Sequence, residues 1–312
     1  MRIALITPAG PGTRNGNRHT ALRWAAFLRK AGHRVSVEVE WSGNEADLML
    51  ALHARRSHAS IAKFPREKRL VVALTGTDVY RDIHTSAEAR ESLELADRLV
   101  ILQPRAADEL EKRYRKKVRV VVQSSSTRLR HAPVKSAFRI CVIGHLREEK
   151  DPMRILAALQ HIDLPIEVIH LGAALDARLG EDAKRGMAKD SRYRWLGNVP
   201  HGRALRWLAS SHAMVISSQM EGGANVVCEA LRIGVPVLAS RVSGNVGLLG
   251  TGYPGYFPVG DEKALARLIE RAVEPAFYGS LKRAVRPLRI EVSPRNEARA
   301  LLSVVSRHMM KG

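Results

Sequence analysis

Cysteine is nearly absent: Cys141 and Cys228 are the two in the chain, each inside an unrelated apolar segment. Neither a disulfide framework nor a zinc-ligand spacing can be built from them, which suits a reducing compartment. Aromatic residues are scarce, at 5% of 312 residues, and they do not interleave with the basic residues as in single-strand nucleic-acid binders. No run approaches the roughly 20 apolar residues that cross a bilayer, so stable membrane insertion is not expected. The first apolar run, Ile3–Thr7, is shorter than a signal-peptide core and reads as a buried strand; the expected location is the cytoplasm. No cluster of Asp or His suggests a metal, and no cofactor is expected. Acidic residues are outnumbered 31 to 51 by Lys and Arg, for a formal net charge of +20. That surplus bears on partners and not on fold. Arginine is spread along the whole chain with no basic tail, so the expected partners are small anionic molecules and not nucleic acid.

What is present is enough apolar residue, 45%, for ordinary cores, and a length that suggests two domains. Short apolar runs fall at Ile3–Thr7, Val35–Val39, Asp47–Leu52, Leu70–Leu74, Arg98–Leu102 and Val118–Val122, with helical patterns at Thr20–Lys30, Ser86–Leu95 and Pro104–Arg115. Runs without polar alternation, separated by helices, indicate a parallel sheet covered on both faces. Residues 124–137 are polar and aperiodic and read as a linker. The alternation then restarts, with strands at Phe138–Ile143, Ile166–Leu171, Tyr193–Leu196, Ala213–Ser217 and Pro236–Ala239, and helices at Pro152–His161, Gly202–Ala209 and Ala224–Ile233. The tail from Asp261 to Met310 is mostly helical, punctuated by Pro275, Pro287 and Pro294. The expected architecture is α/β: doubly wound Rossmann-like domains at 1–123 and 138–312, facing across a cleft, with carboxy-terminal helices packing back toward the first.

The most informative stretch runs from Ser217 through Glu221-Gly222-Gly223-Ala224-Asn225 to Glu229 and Ala230. A strand ends in a loop with two glycines, and a helix begins. Glycine lets backbone amides approach a ligand, and a helix N-terminus offers free N–H groups and positive potential, which suits a diphosphate. Glu221 in the loop and Glu229 in the helix can accept hydrogen bonds from sugar hydroxyls on either side of it.

This stretch resembles the E-x7-E region of the retaining glycosyltransferases of family 4, which have the GT-B fold. The resemblance implies that Glu229 binds a ribose diol and Glu221 the donor sugar's hydroxyls. A second element, Gly144-His145-Leu146-Arg147-Glu148-Glu149-Lys150, is similar to that family's G-R-L-x-x-x-K. Lys150 matches the lysine that neutralises the donor diphosphate. The arginine position is His145, a departure that Arg147 is expected to compensate. Trp195-Leu196-Gly197-Asn198-Val199-Pro200 is similar to the strand end that holds the nucleobase, implicating Asn198 and Val199.

Further blocks resemble the selenosugar synthases of selenoneine biosynthesis, a small branch of family 4: ALRWA from Ala21, ALHARRS from Ala51, LTGTDVYRD from Leu74, LELADRLVILQP from Leu93, SRVSGNVGLLG from Ser240 and YPGYFPVGD from Tyr253. This implies transfer from UDP-N-acetylglucosamine or UDP-glucose to the selenium of selenophosphate without a metal. Lys150, Glu221 and Arg18 are the expected catalytic residues. Acceptor candidates lie after strands of the first half: Gly12, Asn17 and Arg18 in the loop from Gly10, then His53, Arg55, Thr75, Gly76 and Thr77. A guanidinium such as Arg18 grips a phosphate oxyanion bidentately. Two other functions fit parts of the pattern, a family 4 transferase with a lipid or glycan acceptor and a non-catalytic binder of sugar nucleotides or nucleic acid. The complete Glu221, Glu229 and Lys150 set speaks against the second.

Overall fold

The structure is a computed structural model, and it describes residues 1–13 and 16–306. Arg14 and Asn15 of the first loop, and residues 307–312, which include the tail's expected end at Met310, lie outside the described residues. The chain forms two compact units, one of residues 1–123 with the segment from Pro294 onward, the other Ser124–Ser293.

In the first unit, β1 (Arg2–Ile6), β2 (Arg34–Glu38), β3 (Leu48–Leu52), β4 (Arg69–Leu74), β5 (Arg98–Ile101) and β6 (Val118–Val120) form a parallel sheet in the order β2-β1-β3-β4-β5-β6. Alternate residues feed opposite faces. Ile3, Leu5, Leu48, Leu50 and Val71 pack in one buried cluster, and Ala4, Ile6, Met49, Ala51 and Val72 in another. Both faces are therefore covered, the physical reason these strands read as continuous apolar runs.

The chain returns to this unit at its end. In the helix Pro294–Val305, Leu301, Val304 and Val305 join the cluster around Trp24. Its buried Glu297 accepts hydrogen bonds from Trp24 Nε1 at 2.7 Å and from Arg23 Nε at 2.8 Å, on the helix Gly16–Lys30. A buried carboxylate without such partners would be costly, so these contacts fix where the terminal helix docks.

In the second unit, β7 (Phe138–Ile143), β8 (Ile166–Leu171), β9 (Tyr193–Trp195), β10 (Ala213–Ile216), β11 (Val237–Ser240) and β12 (Tyr256–Phe257) are also parallel, in the order β12-β11-β10-β7-β8-β9. The chain reverses direction across the sheet between β7 and β10, so the loops leaving those strands diverge and open a crevice beyond their carboxyl ends. Residues 124–137 form neither helix nor strand. They are laid on this unit by Ala132 N–H to Ala209 O (2.9 Å) and Val134 N–H to Ser210 O (3.0 Å).

Several stretches differ from the sequence expectation, among them the helix Ser243–Leu249 and the strand Tyr256–Phe257, neither of which was expected. Pro104–Arg115 is not one α-helix but two 3-10 turns, Pro104–Glu109 and Lys112–Lys117, with Leu110 extended between them. KRYRKK buries Tyr114 alone, so no apolar stripe holds a continuous helix against the sheet. The helix Ala177–Lys189, with only Leu179, Gly180 and Ala183 buried, was not expected at all. Its buried residues recur at helical spacing opposite a charged face, so the pattern was present in the sequence and went unread.

Candidate functional site

The crevice between the ends of β7 and β10 is lined by Gly144, His145, Lys150, His170, Ser217, Ser218 and Glu221, among others. Lys150 ends a single 3-10 turn, Glu148–Lys150, and Asp151 follows in the left-handed region at φ 44°. The Ser217 hydroxyl donates to the carbonyls of Lys150 (3.1 Å) and Asp151 (2.8 Å), and Gln219 N–H donates to Glu149 O (3.0 Å). These bonds clamp the loop after β7 to the loop after β10. The result is an ion pair between residues 71 positions apart: Lys150 Nζ donates to Glu221 Oε1.

The Ser218 hydroxyl reaches the same oxygen at 2.6 Å. Both bonds fall on Oε1, which leaves Oε2 to accept from a ligand. Glu221 is 7% exposed, so its charge is held by these two donors and little water. Its backbone is fixed from behind by Gly244, where an added Cβ would overlap the Glu221 carbonyl. Gly172 plays the same part beside Gly144, with no room for a side chain against the Gly144 carbonyl. His145 sits at this junction, its Nδ1 accepting from Ala173 N–H at 3.0 Å. That bond sets the neutral tautomer with its proton on Nε2, a neutral donor where an arginine was the expected type. Arg147 is half exposed, 3.9 Å from Glu149. His170 is wholly buried, and burial pushes its imidazole down to about 4.

The helix Asn225–Ile233 begins after Gly222, Gly223 and Ala224, with no side-chain cap on Ala224. Val227 N–H in its first turn meets Ala224 O at 2.9 Å, and the positive end of the helix faces the glycine loop. One and a half turns on, Glu229 Oε1 is met by His201 Nε2 at 2.8 Å. The Glu229 carboxylate raises the His201 pKa from its ordinary value. His201 was missed in the sequence, though it immediately follows Asn198-Val199-Pro200. Asn198 is exposed and Val199 half-buried just beyond β9, with Gly197 at φ 65°.

In the first unit, the first-half candidates gather at the carboxyl edge of neighbouring strands β1, β3 and β4. Gly12 lies at φ 84° in the turn after β1, and Asn17 and Arg18 stand in the first turn of Gly16–Lys30. His53 follows β3 at φ 75°, a backbone state that a side chain other than glycine rarely adopts. Its Nδ1 accepts from Arg56 N–H (3.3 Å), so its Nε2–H faces Thr77 Oγ1 (3.1 Å). Burial lowers the His53 pKa, which keeps it neutral.

Two buried carboxylates, Asp78 and Asp82, organise this edge. Asp78 accepts from the N–H groups of Thr75 (2.9 Å), Gly76 (2.7 Å) and Ala54 (3.0 Å). The amides of Thr75 and Gly76 therefore serve the fold, and Thr77 Oγ1 is engaged by His53. Asp82 carries Arg55 and Arg81, each at 3.2 Å. Among the described residues no group of three or more His, Cys, Asp or Glu could hold a metal, and no helix is long and apolar enough to cross a membrane.

Comparison with known proteins gives a match over residues 123–284 to the sequence model of the family Glycosyl transferases group 1. Solved structures agree in fold along nearly the whole chain. Sucrose-phosphate synthase from Thermosynechococcus elongatus superposes with a TM-score of 0.77 at 16% identity, covering 97% of this chain and 98% of its own. HepE from Anabaena, solved with UDP-glucose, gives 0.76 at 15%, covering 98% and 99%. A glycosyltransferase from Rickettsia africae gives 0.74 at 13%, covering 97% of each chain. Two parallel six-stranded sheets of this topology are the GT-B fold.

Proposed function

The chain belongs to the group 1 glycosyl transferases, and from that premise we propose that it transfers a sugar from a UDP-sugar to the selenium of selenophosphate. The observation that carries the donor half is the clamped Lys150–Glu221 pair beside an uncapped helix N-terminus. The diphosphate lies over the Gly222–Asn225 amides and Lys150, the sugar hydroxyls donate to Glu221 Oε2, and the ribose diol donates to Glu229. HepE, a protein of the same fold, was solved with UDP-glucose, which supports uridine as the base. Asn198 and Val199 hold that base, and His145 and Arg147 flank the diphosphate.

Selenium attacks the anomeric carbon as the carbon–oxygen bond to UDP breaks, with the electron pair leaving on the β-phosphate. Lys150 stabilises that charge without a metal. Water then cleaves the selenium–phosphorus bond to release phosphate and the selenosugar. An ionised selenium nucleophile needs no strong general base, and neutral His53 is consistent with that. Arg18 and Arg55 bind the acceptor's phosphate oxygens, helped by Asn17 and the turn at Gly12, while Thr75 and Thr77 flanking Gly76 donate hydroxyls. The sequence blocks named above support this acceptor over a lipid or glycan.

The test is an anaerobic reaction under reducing conditions without added metal, read by mass spectrometry. UDP-N-acetylglucosamine or UDP-glucose is supplied with and without selenophosphate. A selenium-bearing sugar formed together with UDP is the expected product. Thermal stabilisation by UDP-sugars with no such product would sink the acceptor; neither product nor stabilisation would sink the donor site as well.

Two smaller effects follow from the same geometry. Gly244→Ala pushes on the Glu221 carbonyl, so kcat is expected to fall about tenfold while the circular dichroism spectrum is kept; unchanged kcat would show that Glu221 does not need that position. His201→Ala should raise the donor KM about threefold, because Glu229 loses the donor that orients it. His201 has a raised pKa, so the charged pair is intact below pH 6.5 and is lost as pH climbs through the raised value. The wild-type donor KM should rise over that climb, and the rise should flatten in His201→Ala. Parallel profiles for the two proteins would remove the role.

A further inference from the structure

The helix that opens on the candidate donor site closes on a different concavity. At the carboxyl end of Asn225–Ile233, Gly234 adopts φ 99° and the chain leaves toward β11. There a cavity of about 390 Å³ is walled by Arg130, Lys282, Arg283, Arg286 and Arg289, over a floor that includes Ile233 and Val285. Its lining contains no carboxylate, and among the described residues none of the five cations has an ion-pair partner within 4 Å.

The bland explanation is that these arginines complement the negative end of a helix. A helix carboxyl terminus carries roughly half a charge. Here Gly234 and Val235 N–H already meet Ala230 O, and His131 N–H meets Ile233 O. Half a charge cannot balance five. The crowding leaves a mark: burial, then the neighbouring Arg130 and Arg232, lower the affinity of Arg289 for its proton. Cations kept together in a concavity of small-ligand size, without a carboxylate, favour an anion with several charges close together.

We infer that this cavity is a second anion site, separate from the donor crevice, which takes a compact ligand bearing at least two linked phosphate groups. Guanidinium forks match phosphate oxygens two at a time, and the helix Pro275–Glu291 sets Lys282, Arg286 and Arg289 at positions i, i+4 and i+7, along one face. The ligand chemistry is shared by free polyphosphates and by phosphate-bearing lipid headgroups; a concave site of this volume fits the free form.

The probe is inorganic pyrophosphate, titrated calorimetrically at constant ionic strength into the full chain. Because pyrophosphate can also occupy the donor crevice, the titration is repeated in Lys150→Ala, where the second site should remain. Binding should weaken about 100-fold in Arg286→Ala/Arg289→Ala. Arg283→Ala/Arg286→Ala, a change at two exposed positions, guards against a folding defect and should weaken binding comparably. A charge-matched control, Arg178→Ala/Arg185→Ala on the helix Ala177–Lys189, should leave it unchanged. Loss of all pyrophosphate binding in Lys150→Ala would overturn the site. So would an equal loss in the control, or binding to phosphatidylglycerol vesicles or RNA with none to pyrophosphate.

Discussion

Lys150→Ala is expected to lower kcat by about 10²–10³-fold, with the UDP-sugar Kd rising less than about tenfold. The asymmetry comes from where the charge is needed. In the proposed donor complex the diphosphate already spreads its charge over several oxygens and over the amides of the Gly222–Asn225 loop. As the bond to the sugar breaks, new charge collects on the β-phosphate, and an ammonium fixed beside it stabilises that state more than the ground state. Lys150 is fixed, with its backbone carbonyl held by Ser217 and its Nζ on Glu221. Removing it also leaves the buried Glu221 carboxylate with Ser218 alone, so some loss of stability accompanies the loss of rate. The pair is not deeply buried on the lysine side, which is 23% exposed, so that cost stays at about 1–3 kcal/mol, below that of a fully buried pair. Single-turnover rates, equilibrium donor binding and melting temperature separate the three effects. A kcat within threefold of wild type would remove Lys150 from the leaving-group role. Lys150→Arg should fall between, since it keeps the charge and changes the reach.

The inner strands of both sheets were legible because they are buried on both faces, so Leu48–Leu52 or Ile166–Leu171 shows as a nearly unbroken apolar run, while the edge strands Arg34–Glu38 and Val118–Val120 have no buried residue. The helix Ala177–Lys189 was legible in principle, since Leu179, Gly180 and Ala183 fall on one face at helical spacing, and it was overlooked. The two-residue strand Tyr256–Phe257 gives no period to read. At the site, residue types and loop placement could be read, and contacts could not. Lys150 and Glu221 were assigned separate tasks, since nothing in a linear chain says that loops 71 residues apart are clamped together by Ser217 and Gln219. His201 went unnoticed because a histidine at the start of a helix has many ordinary uses; only the Glu229 contact distinguishes it.

The first unit teaches the same point through its buried carboxylates. A loop such as Thr75-Gly76-Thr77 suggests amides free for an anion, yet Asp78 fills that place within the fold. An internal carboxylate in an amide nest holds the loop rigid, so the neighbouring hydroxyls and the guanidiniums on Asp82 remain to meet an external oxyanion. His53, strained at positive φ and tied to Thr77, belongs to the same rigid edge. Backbone strain of this kind persists only where the surroundings enforce it.

Glu229→Ala is expected to weaken UDP and UDP-sugar binding by about 10- to 100-fold, with kcat at saturating donor within about threefold of wild type. On the proposed assignment the ribose lies away from the breaking bond, so its hydroxyls would bind Glu229 equally in ground and transition states, which is uniform binding. A net loss of about 1.5–3 kcal/mol, that of one hydroxyl-to-carboxylate bond, corresponds to this range, its larger value setting the upper end. The lower end reflects water entering the half-buried position, where Glu229 is 15% exposed. The contrast with Lys150 is the useful part: one variant moves affinity, the other moves rate. His201 supplies an internal check, because with Glu229 gone the imidazole loses the partner that raises its pKa. Its titration, followed by NMR, should drop back toward the ordinary value of about 6.5 in Glu229→Ala. Comparison with 2′-deoxy-UDP locates the contact: the wild type should discriminate against it and Glu229→Ala should not. If the variant binds UDP as tightly as wild type, or still discriminates, the ribose is held elsewhere and Glu229 serves only to anchor His201.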